Sequence, residues 1–268
     1  MHLRARHTFT PADQEQRQTK LPPNIEGPLS QSSFETAVEE AFAARDIPRI
    51  AQLITQLTDR DQQVQRMLRV IHGRSRRRRL DHPDDATSNA ADAQQREKLL
   101  AEDNFRRVMS LFDLACSTHI DKSSNQTTRS LASHFPPSVY HALLRSCSYH
   151  ASVDAAIRIY SFLEARVRSS RSFQPTTTVF YYLLSTYINA NDLAGAKDVF
   201  AEFKGLCARD EISIVEAYSH VKIWNKMMEA YFMAGQPAGA LRLLETMMDA
   251  ESTPSQGISS PLKVTSSF

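Results

Sequence analysis

At 268 residues and 30.3 kDa, the chain is long enough for one extended domain or two small ones, and a packed core is within its reach. Only seven glycines occur and mean hydropathy is −0.40. With Ala, Leu, Arg, Gln and Glu abundant, that balance favours many helices with polar outer faces. No window approaches the roughly 18 apolar residues of a membrane span, and a net charge of +2 with a pI near 8.4 is too mild to announce a nucleic-acid partner by itself.

Residues 1–32 are rich in Gln, Pro and Thr and read as a disordered tail. Arg4 and Arg6, with no acid before Asp13, resemble the start of an organelle-targeting segment. A helical region, 33–118, follows. It opens with Phe34, Ala37, Val38 and Ala41, then Ile50, Leu53, Ile54 and Leu57, two stripes at the i, i+3, i+4, i+7 spacing of one helix face. Two further stripes, Val64-Met67-Leu68-Ile71 and Val108-Leu111-Phe112-Ala115, read as one more repeat split by an insertion. That insertion, 74–95, carries Arg76–Arg79, His82-Pro83-Asp84-Asp85 and Ser/Asn/Ala-rich text, and is expected to be disordered. Its arginine run suits phosphate contact or nuclear import. Asp121 to Ser133, rich in Ser and Thr, reads as a loop.

Three clearer copies fill 136–255. The first pairs Tyr140, Leu143, Leu144 and Cys147 with Ala156, Ile159, Tyr160 and Leu163. The second pairs Phe180, Leu183, Leu184 and Tyr187 with Ala196, Val199, Phe200 and Phe203. The third pairs Trp224, Met227, Met228 and Tyr231 with Ala240, Leu243, Leu244 and Met247. In each, the opening aromatic precedes the small Ala by 16 residues, as two short antiparallel helices joined by a fixed turn require. A lone hairpin of this kind leaves one apolar face in water and must stack on a neighbour to be stable. The small Ala then lets helices approach closely, and Tyr160, Phe200 and Tyr187 fill the space between hairpins. The fold predicted is all-α, an α-solenoid of stacked antiparallel helical hairpins with disordered tails and linkers. After Met248 no polar capping helix is legible, so the chain is expected to be a fragment of a longer array, or to have a partner on that face. Residues 256–268 read as a second disordered tail.

Cys116, Cys147 and Cys207 form no CxxC pair and sit in or beside apolar helical stretches, which points to buried structural thiols in a reducing compartment. The motifs GxxxxGK[ST], HExxH, GxSxG and GxGxxG are all absent, and His141, His150 and His220 have no evident carboxylate or Cys constellation. An enzyme is not expected, nor a cofactor or a metal site.

The third copy, with Trp224, Ala234-Gly235, Ala238-Gly239-Ala240, Leu243-Leu244, Met247 and Pro254 30 residues after Trp224, resembles a pentatricopeptide repeat. The second resembles it through Phe180, Asn191, Ala196, Val199-Phe200 and Phe203, and the first through Tyr140, Ala156, Tyr160 and Pro175-Thr176. The copies are spaced by 40 and 44 residues, so their exits carry insertions, as in degenerate fungal or animal mitochondrial members. The W-x2-L-G-x2-Y signature of the related tetratricopeptide repeat is missing.

The resemblance implies a protein binding single-stranded RNA along its first helices, each repeat reading one base. By that resemblance the reading residues are His141 with Thr176, Tyr181 with no assignable partner, and Asn225 with Ser255. The last pairing implies a pyrimidine, cytosine being the expected base. His141 and Tyr181 are alternatively base-stacking residues, and Arg145, Lys222 and Lys226 are the candidate phosphate contacts. The role implied is processing, stability or translation of mitochondrial mRNA or rRNA, with nucleus or cytoplasm as other compartments. Against it, Pro136 to Ser255 holds 11 Lys and Arg against 12 Asp and Glu, a net of −1. The competing reading is a protein-protein scaffold, a ribosome-associated or assembly factor using the same groove.

Overall fold

The computed structural model describes residues 31–81, 88–120, 129–169, 174–215 and 219–252, so the tail 1–30, residues 82–87 and everything after Ser252, Ser255 included, lie outside the described residues. The chain divides into two compact units, Met1–Glu40 and Ala41–Phe268. The boundary falls inside the first helix, α1 (Gln31–Ala43), so the described part of the first unit is helix alone.

In the second unit, α1 ends and α2 (Ile47–Asp81) begins across a three-residue turn. Arg45 takes the left-handed conformation with φ 52°, and Asp46 N–H donates back to Ala41 O at 2.9 Å, the helix-ending pattern that satisfies orphan carbonyls. Asp46 then caps α2 by accepting the Arg49 N–H at 3.0 Å, which supplies one of the free amides of a helix start.

α2 runs 35 residues, and this corrects two expectations. The stripe Ile50-Leu53-Ile54-Leu57 and the stripe from Val64 are one continuous helix, not the end of one repeat and the start of another. The segment 74–95, expected to be disordered, is helical up to Asp81 and again from Ser88, where α3 (Ser88–Ser117) starts. Arg, Ala and Gln are strong helix formers and carry the helix through text whose composition resembles a linker. α3 packs back along α2, with Val64 and Leu68 burying against Ala101. A two-residue antiparallel ribbon pairs β1 (His119–Ile120), just ahead of the segment expected to be a loop, with β2 (Arg129–Ser130), and a 3₁₀ turn, Leu131–His134, follows at the C-terminal end of that segment. The turn is fixed by the buried Tyr140 hydroxyl, which donates to Ala132 O at 2.6 Å.

The rest is α4 (Pro137–Tyr149), α5 (Val153–Ser169), α6 (Thr177–Asn189), α7 (Leu193–Ala208), α8 (His220–Met233) and α9 (Pro237–Ser252). These are three helix pairs placed where the three copies predict them, α4 on α5, α6 on α7 and α8 on α9. Each pair turns on a left-handed residue, Ala151 (φ 50°), Asn191 (φ 58°) and Gly235 (φ 68°). In each, the following N–H reaches five residues back: Ser152 to Cys147 O, Asp192 to Tyr187 O, Gln236 to Tyr231 O. The left-handed residue stands 11 positions after the opening aromatic in all three, and Arg45 stands 11 after Phe34. The faint N-terminal copy therefore shares the turn of the clear ones.

The long α2 contacts α4, and the first helices α4, α6 and α8 contact one another in succession. Ala156, Ala196 and Ala240 are buried, so second helices close in on first helices where the small side chain permits. One aromatic contact recurs at successive junctions: Tyr160 against Phe180 (6.0 Å, edge-on) and, at the equivalent positions, Phe200 against Trp224 (5.0 Å, edge-on). Tyr187 behaves otherwise than expected. Its ring lies over Gly195 of its own helix pair, and a Cβ there would sit 2.1 Å from it. Tyr231 covers Gly239 in the same way, while the first copy has Cys147 and Ala155 at those two positions. A large residue on the first helix is thus matched by glycine on the second.

Candidate functional site

The residue following each opening aromatic, His141, Tyr181 and Asn225, lies in the first turns of α4, α6 and α8. Two of these reach the next first helix. His141 Nε2 shares a 2.9 Å hydrogen bond with Thr176 Oγ1, the residue that caps α6, so the implied pair is brought together. Burial pushes the His141 imidazole below its ordinary value of 6.5, because desolvation disfavours the cation, and the ring is neutral in neutral solution. Thr176 is held in turn by the strand-like exit of α7. Thr176 bridges Ser213 in parallel, Thr177 N–H donates to Ser213 O and Ser213 N–H to Pro175 O. The Thr177 hydroxyl accepts from Val215 N–H at 3.0 Å.

Tyr181 is half-buried, edge-on to Tyr182 at 5.6 Å, with Lys226 Nζ 5.7 Å from its ring centre, within cation–π range. Lys226 also pairs with Glu229 at 2.7 Å. The position equivalent to Thr176 one copy later is His220. It faces Cys207 Sγ at 3.7 Å and the Phe203 ring at 5.4 Å instead of Tyr181, and burial lowers its pKa as well. Asn225 and Lys222 are exposed on α8, and Lys222 takes part in further interactions. Arg145, a candidate phosphate contact, is engaged by Asp59 of α2 at 2.9 Å.

No known family's sequence profile matches the chain, and no curated protein matches it.

One polar cluster escaped the reading of the sequence. Asp61 of α2 is fully buried. Its Oδ2 accepts the Ser146 hydroxyl and its Oδ1 lies 2.9 Å from His150 Nε2. Gln65 Nε2 approaches the same ring nitrogen at 3.4 Å, and Phe105 of α3 stacks on the imidazole at 4.4 Å. Ser146 is itself 2% exposed, and its hydroxyl donates to the carboxylate, so the cluster joins α2, α3 and α4 inside the core. The signal was present in the sequence. Leu57, Asp61, Val64 and Leu68 share one stripe, and an acid on an apolar stripe demands a buried partner.

The thiols are free. Burial pushes Cys116 and Cys147 up to about 12 and Cys207 to about 11, which keeps them protonated and unreactive at neutral pH. Among the described residues no group of three or more His, Cys, Asp or Glu is placed to hold a metal, and no helix is long and apolar enough to cross a membrane.

Proposed function

We propose that the chain is an α-solenoid that binds single-stranded RNA along the first helices α4, α6 and α8. The observation that supports this reading is the edge formed by His141–Thr176 and Tyr181–Lys226. The two rings stand at equivalent positions, one bonded to the residue that caps the next first helix and the other facing a lysine on it. Such rings offer π-faces to unstacked bases, and the adjoining Lys226 and Asn225 offer charge and hydrogen bonds. The sequence resemblance assigns base reading to the same positions and, with it, mitochondrial mRNA or rRNA as the target class.

A protein ligand in the same groove is the second reading. The specific observation favouring it is that Arg145 and Lys226 are compensated by Asp59 and Glu229, which weakens attraction for phosphates. Photocrosslinking of labelled single-stranded RNA at low salt separates the two. On the RNA reading, the folded chain crosslinks. Tyr181→Ala and Lys226→Ala then lower affinity by about tenfold each, consistent with about 1–3 kcal/mol per stacked base, and affinity falls as salt rises. A folded protein that fails to crosslink, and that retains protein partners after RNase treatment, refutes it.

A further inference from the structure

Tyr187 and Tyr231 hold the same place in successive copies, 44 residues apart, each with its ring over a glycine of its own second helix. The charges around the two rings are opposite. Burial first, and then the carboxylates of Asp192, Asp198 and Asp154, raise the pKa of the Tyr187 phenol, so three acids stand about that ring. Glu202, one turn beyond Asp198 on α7, accepts the Tyr160 hydroxyl of α5. Around Tyr231 all four positions have lost their acid. Gln236, Arg242 and Thr246 stand 44 residues after Asp192, Asp198 and Glu202, and Ala194 stands 40 after Asp154. Lys197 takes the place of Ile157, with its Nζ 5.3 Å from the Tyr231 ring centre.

The outcome is an electropositive groove of about 580 Å³ beside α7 and α9. Lys197, Tyr231, Gln236, Arg242, Leu243 and Thr246 line it, and no Asp or Glu does, Glu245 included. Asp198, next to Lys197 in sequence, faces Tyr187 instead. Among the described residues neither Lys197 nor Arg242 pairs with a carboxylate, whereas Arg145, Arg158, Arg168 and Lys226 of the same helix pairs each do. Packing accounts for the ring over glycine, which both junctions share. It does not account for the exchange of four acids for two unpaired cations.

We propose that this groove binds a nucleoside monophosphate, free or as the terminal nucleotide of an RNA strand, with Lys197 and Arg242 holding the phosphate. The charge matches. A phosphate monoester carries about −1.5 to −2 near neutral pH, which two cations balance, while a carboxylate needs only one. The arginine fork adds paired donors for phosphate oxygens. The size matches as well, since the groove lies within the roughly 300–1,000 Å³ of small-molecule sites and a bare phosphate would leave most of it empty. Tyr231 and Leu243 supply an apolar wall for base and sugar, and Gln236 and Thr246 supply hydrogen-bonding groups for their edges. The groove belongs to the second helices, apart from the edge formed by His141 and Tyr181, so it stands independently of RNA binding along the first helices.

The test is titration calorimetry of the full chain with AMP, CMP, GMP and UMP, the matching nucleosides and inorganic phosphate. The expected result is one equivalent of at least one monophosphate bound, with its nucleoside and inorganic phosphate each weaker by about tenfold or more. Lys197→Ile and Arg242→Asp install the residues of the earlier junction, and each should lower that affinity by about tenfold or more. Both side chains are exposed, so helical circular dichroism should not change. Tyr181→Ala should leave nucleotide affinity as it was. An RNA oligomer with a 5′-phosphate that displaces the nucleotide, where its 5′-hydroxyl twin does not, assigns the terminal nucleotide; displacement by neither assigns the free one. The proposal is overturned if no monophosphate binds, if binding survives both substitutions, or if the two oligomers displace the nucleotide equally. It is equally overturned if an acidic peptide of the same charge competes as well as the nucleotide itself.

Discussion

Replacing Gly195 by alanine adds one methyl group to the middle helix pair, and the structure sets its cost. An ideal Cβ there lies 2.1 and 2.3 Å from the Tyr187 ring and 2.8 Å from Asp192 Oδ2. The Asp192 carboxylate is not free to give way, because its Oδ1 caps α7 by accepting the Gly195 N–H at 2.9 Å. Overpacking of this kind costs about 1–3 kcal/mol, while alanine in a helix recovers up to about 1 kcal/mol. A net loss of about 1–2 kcal/mol is expected, close to 2–4 °C in Tm for each kcal/mol in a region of this size. The first copy supplies the control, since Cys147 and Ala155 hold the positions of Tyr187 and Gly195. In a Tyr187→Cys background the same Gly195→Ala change keeps only the Asp192 contact and should cost less, with a coupling of about 1–2 kcal/mol in a double-mutant cycle. Urea unfolding followed by the fluorescence of Trp224, the chain's single tryptophan, and by circular dichroism reads both. An equal cost in the two backgrounds would refute the ring-over-glycine account.

Gly235→Ala meets nothing within 4 Å but must hold φ at +68°, so it should destabilise by about 1 kcal/mol from backbone strain alone. Ala151→Gly, at φ 50°, should change stability in the opposite direction by about 0.5–1 kcal/mol in the same urea assay. Asp61→Ala leaves Ser146 and His150 without their buried acceptor. It should cost about 3 kcal/mol, with faster amide exchange in the second half of α4 as the local readout. His141 and His220 both have folded pKa values pushed below 6.5 by burial, so the unfolded chain binds more protons beneath that value. Their contribution is complete above about pH 6.5 and declines as pH falls towards their folded pKa. His141→Gln/His220→Gln should flatten the acid limb of a stability-versus-pH curve. Phe200→Ala removes the ring facing Trp224 at 5.0 Å; a loss of about 3–5 kcal/mol should come with a shifted Trp224 emission spectrum.

The three C-terminal helix pairs were legible because their stripes repeat at one spacing, and a strict spacing of apolar residues records which face is buried. The long α2 was not legible as one helix. The polar residues between Leu57 and Val64 resemble a break, and the arginine run beyond Ile71 has the composition of a linker although arginine carries no penalty inside a helix. Asp61 was hidden for a different reason. Its partners lie 85 and 89 residues away, and only a fold brings them together. At the candidate interface, the family resemblance implied His141 and Thr176 as a pair, and the two side chains do meet. It gave neither the capture of Arg145 by Asp59 nor the turning of His220 towards Cys207, because ion pairs between elements depend on their packing.

From opening aromatic through left-handed residue to small alanine, the three clear copies keep one count of residues, and the difference between 40 and 44 falls wholly in the stretch after the second helix. The count from opening aromatic to small alanine is therefore fixed, and the variation in chain length lies after it. Gly and Ser residues inserted beside Ala151 or Asn191 would put every later stripe out of phase, whereas the stretches between helix pairs already differ in length from one copy to the next, which makes them the natural places to graft a tag, a cleavage site or an additional cassette.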